Sequence, residues 1–271
     1  MRKTALTFML AAVIASAPAL AQEKEQRIVE NAAKVLAEMQ AMPEYQVPDW
    51  LLQRAQGIAI LPEVVKAGAF VGGRGGTGVL LTRQEDGSWS NPLIVGIGAG
   101  SFGWQFGVQT ADIVLVFTTR KSVEGIADGK ITLGGDASAA AGPVGRSATA
   151  ATSVTFDAEI YSYSRAKGLF AGVSLEGSML FIRDSANERF YGKPGVTASE
   201  ILAADAPLAP DPAPALVQEV TRMTSAASAP AAAPEASAPA PAQATPVAPA
   251  APSGEAQTFP MADPNPGAEP T

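Results

Sequence analysis

The sequence predicts an α+β domain. Its centre would be a curved, Gly-rich, mostly antiparallel β-sheet or barrel-like core, preceded by N-terminal helices and followed by a short C-terminal helix. Three observations predict this. Short apolar runs rich in β-branched residues recur from 57 to 182, each bounded by glycine or turn residues. Twenty-four of the 26 glycines lie between 57 and 195, where Gly inside strands marks bulges, sharp bends or close backbone approach. Long crossover helices are missing from that span, which disfavours a parallel α/β fold.

The elements follow in chain order. Ile28, Ala32, Val35, Leu36 and Met39 fall on one helical face, with Glu30, Lys34 and Glu38 away from it. Residues 23–38 mix four acids with three bases, so this face is expected in the core rather than on a lipid surface. Pro43 ends the helix, and Pro48-Asp49 opens a second, short one. GIAIL at 57–61 and VLLTR at 79–83 read as strands, and Asp86-Gly87 as a hairpin-type turn. LIVGIGA, WQFGVQ and IVLVFTT read as further strands up to 119, and 121–127 as a short helix. Residues 154–161 alternate apolar and polar with period two. LFAGVSLEG and SMLFI complete the strands. Thr197-Ala-Ser-Glu200 is a capping box that opens a last short helix.

Two terminal segments lie outside this domain. Arg2, Lys3, the apolar run 5–15 and Ala19-Leu20-Ala21 have the layout of a secretory signal peptide over 1–21. That run is too short to span a bilayer, which takes about 20 residues. An exported protein, periplasmic or secreted, is therefore expected. Residues 207–271 hold 15 of the 22 prolines among many alanines, a composition expected to form a disordered tail with at most a helical turn or two at 216–223. The domain proper is expected over 22–206.

Composition excludes much chemistry. The chain has 271 residues, no Cys and no His. Disulfides, thiolate metal sites, histidine-based hydrolase triads and zinc-protease motifs are all ruled out. The formal charge of -7 argues against a nucleic-acid binder. No catalytic residue, metal site or cofactor is expected. Asp157 and Glu159 share one side of a strand, yet a solvated face explains them better than glycoside hydrolysis. Asp184-Ser-Ala-Asn187-Glu188 does not fit the EF-hand spacing and reads as a loop.

Gly73-Arg-Gly75-Gly-Thr-Gly78 fits G-x-G-x-x-G in form only, because a strand rather than a helix follows it. Two readings stay open: a glycine-lined tight turn in a curved sheet, or a nest of backbone N–H groups that cradles phosphate beside Arg74.

Several blocks together resemble the SYLF domain family. They are GIAILPEVVKAGAFVGGRGGTGVLLTR, WSNPLIVGIGAGSFGWQFGVQTADIVLVF, GGDASAAAGPVGR, AEIYSYSRAKGLFAGVSLEGS and RFYG, in that order across the folded region. The resemblance implies a non-enzymatic domain that binds phosphoinositides and other anionic phospholipids, and some eukaryotic members also bind actin filaments. The chain departs from the eukaryotic pattern in lacking an SH3 or FYVE partner domain, and its first helix is not basic.

On an acidic molecule, binding of anionic head groups requires cations to cluster. The expected lipid- and phosphate-binding residues are Lys66, Arg74, Arg146, Arg165 and Lys167, with the backbone of Gly72, Gly73, Gly75 and Gly76 as added donors. Membrane contact would be peripheral. The alternative is an envelope scaffold that meets a protein partner through the Ala/Pro-rich tail.

Overall fold

The computed structural model describes residues 22–42, 46–68, 71–102, 107–143, 158–166, 169–206 and 209–228. Helix α1 covers 22–40 and α2 covers Asp49–Arg54. Strands β1 (Gly57–Gly68), β2 (Val71–Thr82), β3 (Leu93–Phe102) and β4 (Gly107–Phe117) follow. After them come α3 (Arg120–Ala127), β5 (Lys130–Thr132), β6 (Ala139–Ala141), β7 (Ile160–Ala166), β8 (Leu169–Gly172) and β9 (Met179–Ile182). The chain continues through α4 (Asp184–Tyr191), α5 (Ala198–Leu202) and α6 (Ala213–Ser228). This is the α+β architecture expected.

The strands form one sheet of nine, ordered β5-β9-β3-β2-β1-β4-β7-β6, with β8 paired to β7. All named pairings are antiparallel except β6 with β7. The sheet curls. An isolated bridge between Leu133 and Ala137 links the ends of β5 and β6, which stand at opposite ends of the strand order.

Curling gives the sheet an outer face and an inner face, and strand alternation divides the apolar residues between them. Ile58, Ile60, Val79, Leu81, Ile94, Val114, Val116, Tyr161 and Tyr163 point outward to a helical layer. Val29, Ala32, Val35, Leu36 and Met39 of α1 cover them, along with Leu51 and Leu52 of α2 and Phe190 of α4. Ala59, Leu61, Val64, Leu80, Leu93, Val95, Ile113, Leu115 and Phe117 point inward. There they meet Val123 and Ile126 of α3 and Ile201 of α5. Burial on both faces explains why GIAIL reads as a continuous apolar run.

Two polar clasps fasten the helices. Glu25, buried on α1, accepts from Arg189 Nε at 3.1 Å and Nη2 at 2.7 Å. Asn187 on α4 donates to the Ile94 carbonyl at 3.0 Å and accepts from the Ile94 amide at 2.7 Å. The segment 184–188 is therefore helical, not the loop its polar letters suggest. Its side-chain amide completes the hydrogen bonding of β3, a role fixed by a residue 93 positions away.

The folded body also runs beyond 206. Leu216, Val220, Met223 and Ala227 form one buried stripe of α6 against the outer cluster. The Trp89 indole N–H donates to Thr224 Oγ1 at 3.1 Å. Over 213–228 the expected tail is thus replaced by a core helix, because these four residues supply the apolar face that the Ala/Pro-rich sequence lacks elsewhere. The signal-peptide expectation over 1–21 and the rest of the tail lie outside the described residues. Among the described residues no helix is long and apolar enough to cross a membrane.

Candidate functional site

β1 changes character halfway along. Its first five residues are buried, and most of those after Pro62 are exposed. The break is a β-bulge. Register with β4 shifts between Leu61 and Val64, and Glu63 takes a left-handed φ of 51°. Pro62 has no N–H to give a ladder, so a bulge is a place that tolerates it. The Glu63 amide turns out of the ladder and donates to Asp112 Oδ1 at 2.9 Å.

Past the bulge, alternation places Val64 and Lys66 on the inner face. Lys66 is the register partner of Arg74 on β2, so both cations project to the same side. They stand at one edge of a cleft of about 650 Å³. Val64, Ala111, Ile113, Ala166, Val173 and Leu175 form its apolar walls, and Gln109, Thr110 and Ser164 add polar groups. Val64, Ile113 and Leu175 belong to the inner core cluster, so the cleft leads from two cations down to apolar core. Partial burial holds the Arg74 guanidinium below its ordinary value through desolvation. Among the described residues neither Lys66 nor Arg74 has an acidic partner.

The glycines around Arg74 serve a different purpose from either reading of the motif. Residues 72–75 lie inside β2, paired with β1 on one side and β3 on the other, while Gly76 pairs with β3 alone, beside the bulge. The backbone of Gly72, Gly73 and Gly75 is thus held in ladders rather than in a phosphate nest, and Gly76 also lies in the strand. The motif is not a turn either. What these glycines supply is room. A Cβ on Gly76 would lie 2.8 Å from Val64 Cγ2, and one on Gly78 only 2.1 Å from the Ile60 carbonyl oxygen. Strand β2 can therefore press against β1 at the bulge.

Arg165 is excluded from the cleft. Its neighbour Ser164 faces inward, so Arg165 faces the helical layer. There its Nε donates to Asp112 Oδ2 at 2.7 Å, and it also pairs with Glu38 of α1. It is a structural cation. Arg146 and Lys167 lie outside the described residues, as does Asp157. Glu159 accepts from the Ser138 amide at 3.1 Å and lines a separate polar surface hollow near Asp128 and Asp136. Among the described residues no group of three acids could hold a metal ion.

The cleft walls were invisible to residue-type reasoning. Val64, Ile113, Val173 and Leu175 look like any strand core, and the pairing of β1 with β4 and of β4 with β7 gathers them near Lys66.

Part of the chain matches known proteins. The family model for Ysc84, described as Las17-binding protein actin regulator, matches residues 98–223. SH3 domain-containing YSC84-like protein 1 of Xenopus laevis is 38% identical over 178 residues, covering 64% of this chain and 53% of the relative. The human protein of that name is 38% identical over 183 residues, 65% of this chain and 53% of its own length. LAS seventeen-binding protein 3 of Saccharomyces cerevisiae is 43% identical over 159 residues, 58% of this chain and 34% of its own. Residues 98–223 thus carry the match to the Ysc84 (SYLF) domain family, and the chain spans about half the length or less of these curated relatives.

Proposed function

We propose that this domain binds anionic phospholipid head groups at the cleft edge formed by Lys66 and Arg74, and that it does so without catalysis. The observation that carries this reading is the register pairing of two cations, free of described acids, on an otherwise acidic protein. Each cation near an anionic surface contributes about 1 kcal/mol, so two give weak, reversible, peripheral association. Among its described lining residues the cleft holds two cations and no acid. The leader-like residues 1–21 support an exported, periplasmic or secreted location. Co-sedimentation with vesicles tests the reading. Binding to vesicles containing phosphatidylglycerol or a phosphoinositide, and not to neutral phosphatidylcholine vesicles, is the expected result. Equal binding to both rejects it.

A second reading is favoured by the family description, which names a protein partner and actin regulation. In that reading the domain is a scaffold, and the Ala/Pro-rich residues 229–271 reach the partner. A partner lost on deleting 229–271, with vesicle binding unchanged, would support it.

A further inference from the structure

We infer that the cleft admits a whole single-chain phosphate amphiphile, the phosphate at Lys66 and Arg74 and the alkyl chain in the apolar interior. This rests on the head-group reading above and extends it from the surface of a bilayer to a single lipid molecule.

Three features carry it. First, a site for a head group alone needs only a charged rim, yet this cleft continues for about 650 Å³. That volume is within the range of small-molecule sites, roughly 300–1,000 Å³. Second, the lining pairs a cationic edge with an apolar wall, among which Gln109, Thr110 and Ser164 are the polar members. The two cations are on β1 and β2, while Ile113, Ala166, Val173 and Leu175 come from β4, β7 and the segment after β8. A polar solute would leave that apolar wall without a partner, whereas an alkyl chain covers it. Third, the cations are cross-strand neighbours, with Cβ atoms about 5 Å apart in such pairs. Two charges at that spacing converge on one phosphate monoester, whose charge near neutrality is about −1.5 to −2. A carboxylate satisfies only one of them, so a fatty acid is the weaker ligand. The interior has room for an alkyl chain because Ser164 and Ala166 are small and Gly76 lets Val64 sit back against β2.

Isothermal titration of the full chain with butyl, octyl and dodecyl phosphate, each below its micelle concentration, tests this. Affinity is expected to rise with chain length, by as much as about fourfold for each methylene that enters the apolar interior. Dodecanoate should bind more weakly than dodecyl phosphate. Ala166→Trp, which fills the exposed wall of the cleft, should abolish the chain-length dependence. Ser164→Phe is the second blocking variant should the first fail to fold. Equal affinity across the three phosphates overturns the inference. If vesicles still bind in that case, the head-group reading stands; if neither vesicles nor any alkyl phosphate binds, both fall.

Discussion

Asp112 and Arg165 are register partners on β4 and β7, and the guanidinium Nε lies 2.7 Å from the carboxylate Oδ2 on the helix-covered face of the sheet. The other carboxylate oxygen takes the Glu63 amide at the bulge. One aspartate therefore couples the wall of the cleft to the point where β1 turns Lys66 inward. Removing Arg165 strands the Asp112 carboxylate in a largely buried site, and removing Asp112 leaves Arg165 with Glu38 alone.

Asp112→Ala is accordingly expected to lower stability by about 3 kcal/mol, since it loses both the ion pair and the cap on the Glu63 amide. Denaturant titration checks this. The double variant Asp112→Leu with Arg165→Met should be more stable than Asp112→Ala alone, because the one partner it releases, Glu38, is half exposed and solvated.

Lys66→Ala and Arg74→Ala should each weaken binding to anionic vesicles about fivefold, with unchanged melting temperature. The loss should shrink as salt is raised through 0.15 M, where screening acts within about 8 Å. Arg222→Ala, on the exposed side of α6, should leave binding unchanged.

Gly78→Ala is expected to cost about 3 kcal/mol or more. Its Cβ would lie 2.1 Å from the Ile60 carbonyl oxygen and 2.5 Å from Leu61 Cα, so two backbones must part. At Gly100 an added Cβ meets nothing within 4 Å, and Gly100→Ala should change stability by no more than about 0.5 kcal/mol. Thermal melts of the two variants separate packing from composition.

A chain ending at residue 206 should lose cooperative unfolding, whereas one ending at Pro230 should melt like the full protein. The first loses Leu216, Val220 and Met223, and burying such a side chain contributes about 1.5–3 kcal/mol. The Trp89 emission spectrum should shift red in the shorter chain, because its indole loses Thr224.

Stability should fall in acid. Asp86 is held below the ordinary carboxylate range by the Ser88 hydroxyl and amide, and Asp136 by the Thr132 amide. Glu200 is held down by the Thr197 amide and by Lys193. Each group binds fewer protons folded than unfolded. Its contribution is thus present above the unfolded value near 4 and is lost as pH falls through the lower folded value. Melting temperature should hold steady above about pH 5 and drop below it. The variant Asp86→Asn, Asp136→Asn, Glu200→Gln should flatten that acid limb.

What could be read in the sequence was local. The stripe of α1, the turn at Asp86-Gly87 and the Thr197–Glu200 capping box each depend on neighbours a few residues away, and each stands in the structure. The cations Lys66 and Arg74 could be nominated from charge alone. Misread features depended on distant partners. The glycines of 72–78 form a strand because β1 and β3 flank them, against their own low strand preference. Arg165 differs from Ser164 only in parity, and which parity faces the cleft is set by pairing with β4, some fifty residues earlier. The stripe of α6 was visible at helical spacing, but the prolines around it pointed the other way.

Helices α1 and α6 both lie against the outer face, on the far side of the sheet from Lys66 and Arg74. Whatever is tethered to residue 22 or residue 228 therefore sets out from the back of the molecule. Tags or immobilisation linkers joined at either residue start from the helix-covered face, opposite the side to which Lys66 and Arg74 project.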